Sequence, residues 1–477
     1  MIKTVFKAHP IMIFRQMKPY LFVLILPLVR AVVQYFTKGE TNGLLMLELI
    51  ALGFVLAAAI LGWQAIKITV GDRYITVEKG VLIKSRACIE ISRLSSISLK
   101  QNIFDFVLGS VSCEINTEAG TPKKSDFDIK MGISDAKRLY SIVYGTENMQ
   151  VVKFSAFRIA LLAATTSSAA TGLIVGIPVI NKTSDLVGVA ISDMLLDEIN
   201  NVSSKFNNIF PPIVNTVTII LIIAYGVSVA VSFFKNVNFR LESGKNSVEV
   251  RSGLIVRKKI TFKKTKINNI CFEQTPLMRI VKKYSMRASI GGYGDKKGEK
   301  AVIVPVANHN ELEKHLKTHF PFFETTGRSI NPIKSSVNKK RFLYPSAIVF
   351  VAIVAVSAVL MITLPYFDKL IFFLTVVAVC INLYYADVCY HNYKYGKLCL
   401  GDYILASGST GFTVRELYCD KSKIGVIKLI ETPADRKLGT CKVKLTVCSE
   451  SADSVRVKNI GSDIVNEQIK KAFNLNI

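Results

Sequence analysis

Two patterns of hydrophobic and polar positions alternate along the chain. Long apolar blocks run from about Pro19 to Phe36, Leu44 to Ile66, Phe157 to Ile180, Ile213 to Phe234, Phe342 to Leu364 and Leu370 to about Val388. Each is near the ~20 residues a helix needs to cross a ~30 Å hydrocarbon layer. Helices suit that layer because lipid offers the backbone no hydrogen-bond partners. Short polar turns at Lys38–Asn42 and Pro365–Lys369 join the outer pairs of blocks, and a longer polar loop, 181–211, joins the middle pair. The pattern predicts six transmembrane helices in three hairpins. The first block is expected to stay uncleaved, because its leader is long and no small-x-small site follows.

Between the blocks the period drops to two. Val248-Glu249-Val250-Arg251 and the run from Cys441 to Val447 place apolar residues on one face, as half-buried strands do. These stretches repeat. From Ile68 and from Phe239 the chain reads in the same order: two strands turning near Gly80 or Gly253, then a strand ending in ISLKQ or ICFEQ at Gln101 or Gln274. A short apolar segment follows, then a last strand ending at Gly120 or Gly294. From Tyr393 a third, weaker copy turns at Gly408 or Gly411 and carries Glu431 in place of the glutamine. A helical pattern closes each copy, at Ser134–Tyr144, Asn308–His319 and Ser462–Phe473. Ser134, Asn308 and Ser462 are the expected N-caps, with Glu311 completing a capping box. The expected organisation is an N-terminal segment and hairpin (1–66), a first domain (67–150), a second hairpin with its loop (151–235), a second domain (236–320), a linker (321–341), a third hairpin (342–390) and a divergent third domain (391–477).

Charge orients this arrangement. The chain carries a net +26, concentrated outside the apolar blocks. Lys3, Lys7, Arg15 and Lys18 precede the first block, and nine cations follow the fourth, whereas loop 181–211 is acidic. The bias of Lys and Arg toward the inner side places both termini and all three domains in the cytoplasm. Nucleic acid is not expected as a partner, because aromatic residues are not interleaved with the cations as a stacking platform requires. The nine cysteines include no C-x-x-C pair and read as reduced, packed thiols rather than a metal site.

The turns at Gly80 and Gly253, the Gln101 and Gln274 segments and the preceding apolar pairs resemble the YdbT-like branch of the bacterial PH (pleckstrin-homology-like) domain family. That resemblance implies a seven-stranded, partly open barrel capped by a helix in each copy, and a place in a bacterial plasma membrane. It also implies a smaller partner of the same family, and a link to resistance against membrane-active peptides or bacteriocins. Lipid binding is not inherited with the fold, since fold does not carry function.

No motif for a nucleophile, a phosphate loop, a metal or a cofactor is present. Glu311, His315 and His319 share one helical face, read as the solvated face of the closing helix. The binding candidates are a membrane-facing basic patch, Lys258, Lys259, Lys263, Lys264, Lys282, Lys283 and Arg287, and an intramembrane pair, Arg30 with Glu48. The patch suits anionic lipid head groups, each cation adding ~1 kcal/mol near such a leaflet. The pair is expected because an unpaired charge at that depth is costly. The expected function is a non-catalytic membrane scaffold or peptide-resistance protein. A transport or export accessory subunit is the alternative.

Overall fold

A computed structural model describes residues 4–18, 20, 43–81, 83–117, 126–145, 147–187, 191–205, 211–291, 293, 300–323, 329–331, 336–410, 412–448 and 453–474. Among these residues three sets of seven strands follow one another. The first set is β1 (Thr4–Lys7), β2 (Lys67–Val70), β3 (Tyr74–Lys79), β4 (Ser85–Glu90), β5 (Leu94–Gln101), β6 (Ser110–Thr117) and β7 (Phe127–Gly132). The second is β8 (Gln150–Lys153), β9 (Arg240–Ser243), β10 (Ser247–Ser252), β11 (Arg257–Lys263), β12 (Ile267–Gln274), β13 (Tyr284–Ile290) and β14 (Ala301–Ala307). The third is β15 (Ser329–Ile330), β16 (Lys397–Cys399), β17 (Tyr403–Thr410), β18 (Thr413–Asp420), β19 (Ile424–Ile430), β20 (Thr440–Val447) and β21 (Ser454–Gly461).

Each helical stretch is inserted between the first and second strands of its set. Helix α1 (Gly43–Gln64) lies between β1 and β2. Between β8 and β9 come α2 (Ala156–Thr166), α3 (Ala169–Val187), a helix at Ile191–Ser204, and α4 (Pro212–Asn236). Helices α5 (Ser336–Thr363) and α6 (Asp368–Tyr395) lie between β15 and β16.

The expectation of six spans in three hairpins is corrected. Among the described residues three helices are long and apolar enough to cross a membrane: Pro212–Asn236, Leu343–Thr363 and Pro365–Tyr395. The block at 157–180 is not one straight helix. Ala156–Thr166 and Ala169–Pro178 meet at 96°, and only as a bent pair would they make a fourth span. The break has a local cause in Thr165-Thr166-Ser167-Ser168. Both threonine hydroxyls donate back into the last turn, to Leu161 O at 2.7 Å and Leu162 O at 2.7 Å. Ser167 is extended, at φ −74° and ψ 158°. Side chains that compete for backbone groups bend helices in this way. Most of the first block and the turn after it lie outside the described residues, as does Arg30, and nothing is described of the Glu48 side chain.

Contacts group the chain into two compact units. One holds Met1–Val151, Glu242–Lys266 and Gly291–Lys296; the other holds Val152–Leu241, Ile267–Ile290 and Lys297–Ile477. The second set of strands is therefore divided between them. In the first unit one sheet runs β1-β2-β3-β4, and another includes β7-β6-β5-β11-β10. In the second unit β14-β13-β12-β18-β17-β16-β15 form one sheet and β19-β20-β21 another.

Alternation builds the cores. In the first unit Ile68, Val70, Ile75 and Val77 meet Leu94, Ile97, Val111 and Ile115 across the two sheets. In the second, Leu398, Ile404, Ala406 and Leu417 meet Val443, Leu445, Val455 and Val457. Burying each such side chain stabilises by roughly 1.5–3 kcal/mol. Gly408 lies inside β17 rather than at a turn. It packs tightly against β21, where a Cβ would stand 2.0 Å from the Arg456 carbonyl oxygen. Gly80 and Gly253 do turn, at φ +102° and +101°.

The closing helices are α7 (His309–His319) and α8 (Ser462–Phe473), together with Ile133–Tyr144 of the first set. Their caps are Gly132, Asn308 and Gly461, which corrects Ser134 and Ser462. The expected capping box does not form, because Asn308 Oδ1 accepts from Lys283 and Glu311 pairs with Arg158.

Candidate functional site

The clearest candidate lies in the second unit, where the third set of strands meets α5 and α6. A cavity of about 830 Å³ opens there. One wall is apolar and helical: Pro345, Val349 and Ile353 of α5, with Ala378, Ile381 and Tyr385 of α6. The two helices are fixed to each other at this level. Asn382 Nδ2 donates to Ser346 O at 3.0 Å, and Ser346 Oγ donates to Asn382 Oδ1 at 3.1 Å. The strands are tied to α6 by Tyr384, whose hydroxyl donates to Phe412 O at 2.5 Å.

The opposite wall is the outer face of β20 and β21. Alternation sends Val443, Leu445, Val455 and Val457 into the core. The same alternation turns Lys442, Lys444, Arg456 and Lys458 toward the cavity. The register makes this charge dense. Lys428, Lys444 and Arg456 stand directly opposite one another across three strands. Like charges in that position destabilise a sheet. Lys442 has a counter-charge in Asp435 at 3.5 Å. At a bulge, Lys458 and Asn459 together face Lys442. Asn459 is 2% exposed, holds φ +61°, and lines the cavity. Its side-chain nitrogen has no hydrogen-bond partner among the described residues. A buried donor without an acceptor costs roughly 1–3 kcal/mol unless a ligand supplies one.

Sequence reasoning missed this face, although its signal was present in the alternating run CKVKLTV and in SVRVKN. The basic patch expected in the second copy is placed differently. Lys258, Lys259, Lys263 and Lys264 belong to the first unit, and Lys282, Lys283 and Arg287 to the second. Most have partners within the protein. Lys258 lies over the Tyr293 ring at 5.1 Å, and Lys259 meets Glu249 at 2.9 Å. Lys263 donates to Ile91 O at 3.0 Å, Lys283 to Asn308 Oδ1 at 2.8 Å, and Arg287 approaches Glu273 at 3.4 Å. Burial pushes the Lys263 and Lys264 ammonium groups down from their ordinary values. Lys282 holds φ +54°, a left-handed position, and lines a second cavity.

That second cavity, about 570 Å³, is lined mostly by residues with polar or charged groups. His309 Nε2 meets Glu416 at 2.6 Å, and Arg279 pairs with Asp387 of α6. The hydrogen bond to Glu416 raises the His309 pKa. The first pair joins α7 to β18, and the second joins the helical turn Pro276–Ile280 to α6. The histidine face of α7 is also not solvated as expected: His319 is buried, and His315 stacks on it with ring centroids 5.6 Å apart.

The bacterial PH domain model matches residues 20–146 and again 188–319. The chain belongs to the bacterial PH domain family. A relative of this family member is the UPF0699 transmembrane protein YdbT of Bacillus subtilis (strain 168), 20% identical over 303 residues. The match covers 57% of this chain and 60% of that protein. The three long apolar helices and the transmembrane relative mark the chain as a membrane protein with repeated bacterial PH domains. The family matches stop before the third set of strands, which is where the cationic cavity lies.

Proposed function

We propose that this chain is a non-catalytic membrane scaffold whose third repeat holds an anionic lipid of the cytoplasmic leaflet. One observation carries the reading: the cations Lys442, Lys444, Arg456 and Lys458 of β20 and β21 face an apolar wall of two long membrane-type helices across one cavity. An amphiphile with a negative head group meets both walls, its head on the strands and its chains along α5 and α6. The excess of Lys and Arg beside the apolar blocks supports the cytoplasmic orientation. Resistance to membrane-active peptides is the physiological expression expected of a lipid-holding scaffold. A deletion strain should be more sensitive to such peptides.

The direct test is lipid analysis of the full chain purified in mild detergent. The wild type should retain a diacyl anionic phospholipid, and Lys444→Ala with Arg456→Ala should release it while keeping the elution profile. Retention of zwitterionic and anionic lipid in bulk proportion by both proteins would sink the proposal.

A further inference from the structure

Sheets in this protein do not end where a repeat ends. The strand that opens the second half of one repeat pairs with the fourth strand of the next. This happens twice, as β5 with β11 and as β12 with β18. The register is the same both times. A short turn of helix precedes each strand concerned, at Ile91–Arg93, Lys264–Lys266 and Lys421–Lys423. Counting from it, Ser96, Asn269 and Val426 are equivalent. So are Ile89, Phe262 and Cys419, counting back from the same turns. The observed joints pair Ser96 with Phe262 and Asn269 with Cys419.

Two strands of this kind have no such neighbour among the described residues. β4 ends the sheet β1-β2-β3-β4, and β19 ends the sheet β19-β20-β21. Both are exposed. β5 and β12 are largely buried, whereas Val426 is 44% exposed and Ile430 is 44% exposed. Unpaired edges, apolar on β19 and mixed on β4, are templates for another chain. Neither strand contains proline, which would have blocked pairing.

We infer that β19 of one copy pairs with β4 of a second copy, repeating the internal joint between molecules. The register then follows from the other two: Val426 opposite Ile89, Ile427 opposite Cys88, Lys428 opposite Ala87, Leu429 opposite Arg86, and Glu431 opposite Lys84. The last pair is of opposite charge, as Glu273 and Arg415 are in the second joint. Lys428 meets a small neutral residue, so the row of cations on β19, β20 and β21 gains no fourth member. Because the two edges differ, the contact is head-to-tail and builds a ring or an open row.

The test uses thiol cross-linking of the full chain in membranes. Cys88 and Cys448 are exposed and free, and so is Cys380. In a Cys380→Ser, Cys448→Ser background, Ile427→Cys should give dimers and higher multimers with a mild oxidant or a short thiol-bridging reagent. Adding Cys88→Ser should abolish them. Lys428→Cys, whose side chain points to the other face of the sheet, should cross-link several-fold less. As a second measurement, Lys84→Glu and Glu431→Lys should each reduce the multimer fraction, and together restore it. Cross-linking of Ile427→Cys no stronger than that of Lys428→Cys would overturn the inference. So would a product containing only a different, smaller protein.

Discussion

Glu273 shows how much of this fold is decided by single residues at the joints. It stands on β12 directly opposite Arg415 of β18, with Lys300 at 2.9 Å and Arg287 at 3.4 Å. Burial pushes its carboxyl up, but Lys300, Arg287 and Arg415 outweigh burial and hold its pKa down to about 2. A carboxylate whose pKa is depressed on folding contributes stability that is complete above its ordinary value, 4.5, and is lost as the pH falls through about 2. Glu273→Gln should therefore remove part of the acid sensitivity of unfolding between those values. It also leaves three cations without their shared anion, at a cost of roughly 3–5 kcal/mol. Thermal unfolding of both proteins in detergent across pH 2–6 checks both statements. An unchanged acid limb would mean that other carboxylates set it. None of these partners was legible in the motif ICFEQ. Alternation assigned the strand, but the cations come from β13, β18 and a residue just before β14. The glutamines of the same motif turned out to be local: Gln101 Nε2 donates to Ser110 O at 3.1 Å, and Gln274 Nε2 to Lys283 O at 3.1 Å.

At the scale of elements, the sequence was most informative where one physical rule acts alone. The apolar block at Ile213–Phe234 became Pro212–Asn236, and the strand turns at Gly80 and Gly253 hold the positive φ that glycine allows. It was least informative where a short element depends on a distant partner. β1, β8 and β15 have four, four and two residues, and each finds its sheet only after a helical insertion. Nothing in so short a stretch has a period to read. The block at 157–180 failed for the opposite reason: its hydropathy hid a Thr-Thr-Ser-Ser break. Past that break, Gly172 and Gly176 lie one turn apart on α3. A Cβ at Gly172 would stand 1.6 Å from the Ala224 carbonyl oxygen of α4. Small residues at such spacing let membrane helices approach closely. Gly172→Leu should separate α3 from α4, at the upper end of the ~1–3 kcal/mol typical of overpacking. A cysteine pair placed across these two helices should then lose its cross-linking. Wild-type cross-linking in the variant would show that the helices do not depend on this contact.

The three repeats share one scaffold but have diverged in charge, and the divergence locates the work at the scale of the whole molecule. The row that reads Lys428, Lys444, Arg456 in the third repeat reads Ser98, Glu114, Asp128 in the first, in the same register. The first repeat neutralises its anions internally. Lys100 meets Glu114 at 2.8 Å, and Arg15 meets Asp128 at 2.5 Å. The third repeat provides no carboxylate within ion-pairing distance of Lys444 or Arg456 among the described residues, so its anion is expected from outside. The swap Lys444→Glu with Arg456→Asp imports identities that the same sheet geometry already tolerates, and the fold should survive it. Each cation near an anionic leaflet is worth ~1 kcal/mol, so losing two should weaken anionic lipid binding by roughly thirtyfold even before the new repulsion is counted. Binding by the wild type should also weaken as salt rises, since part of the attraction is screened. Titrating the full chain in nanodiscs of increasing anionic lipid fraction measures both effects. If the swapped protein bound anionic lipid as the wild type does, the third repeat would be a scaffold like the other two, and the cationic row would need another anion.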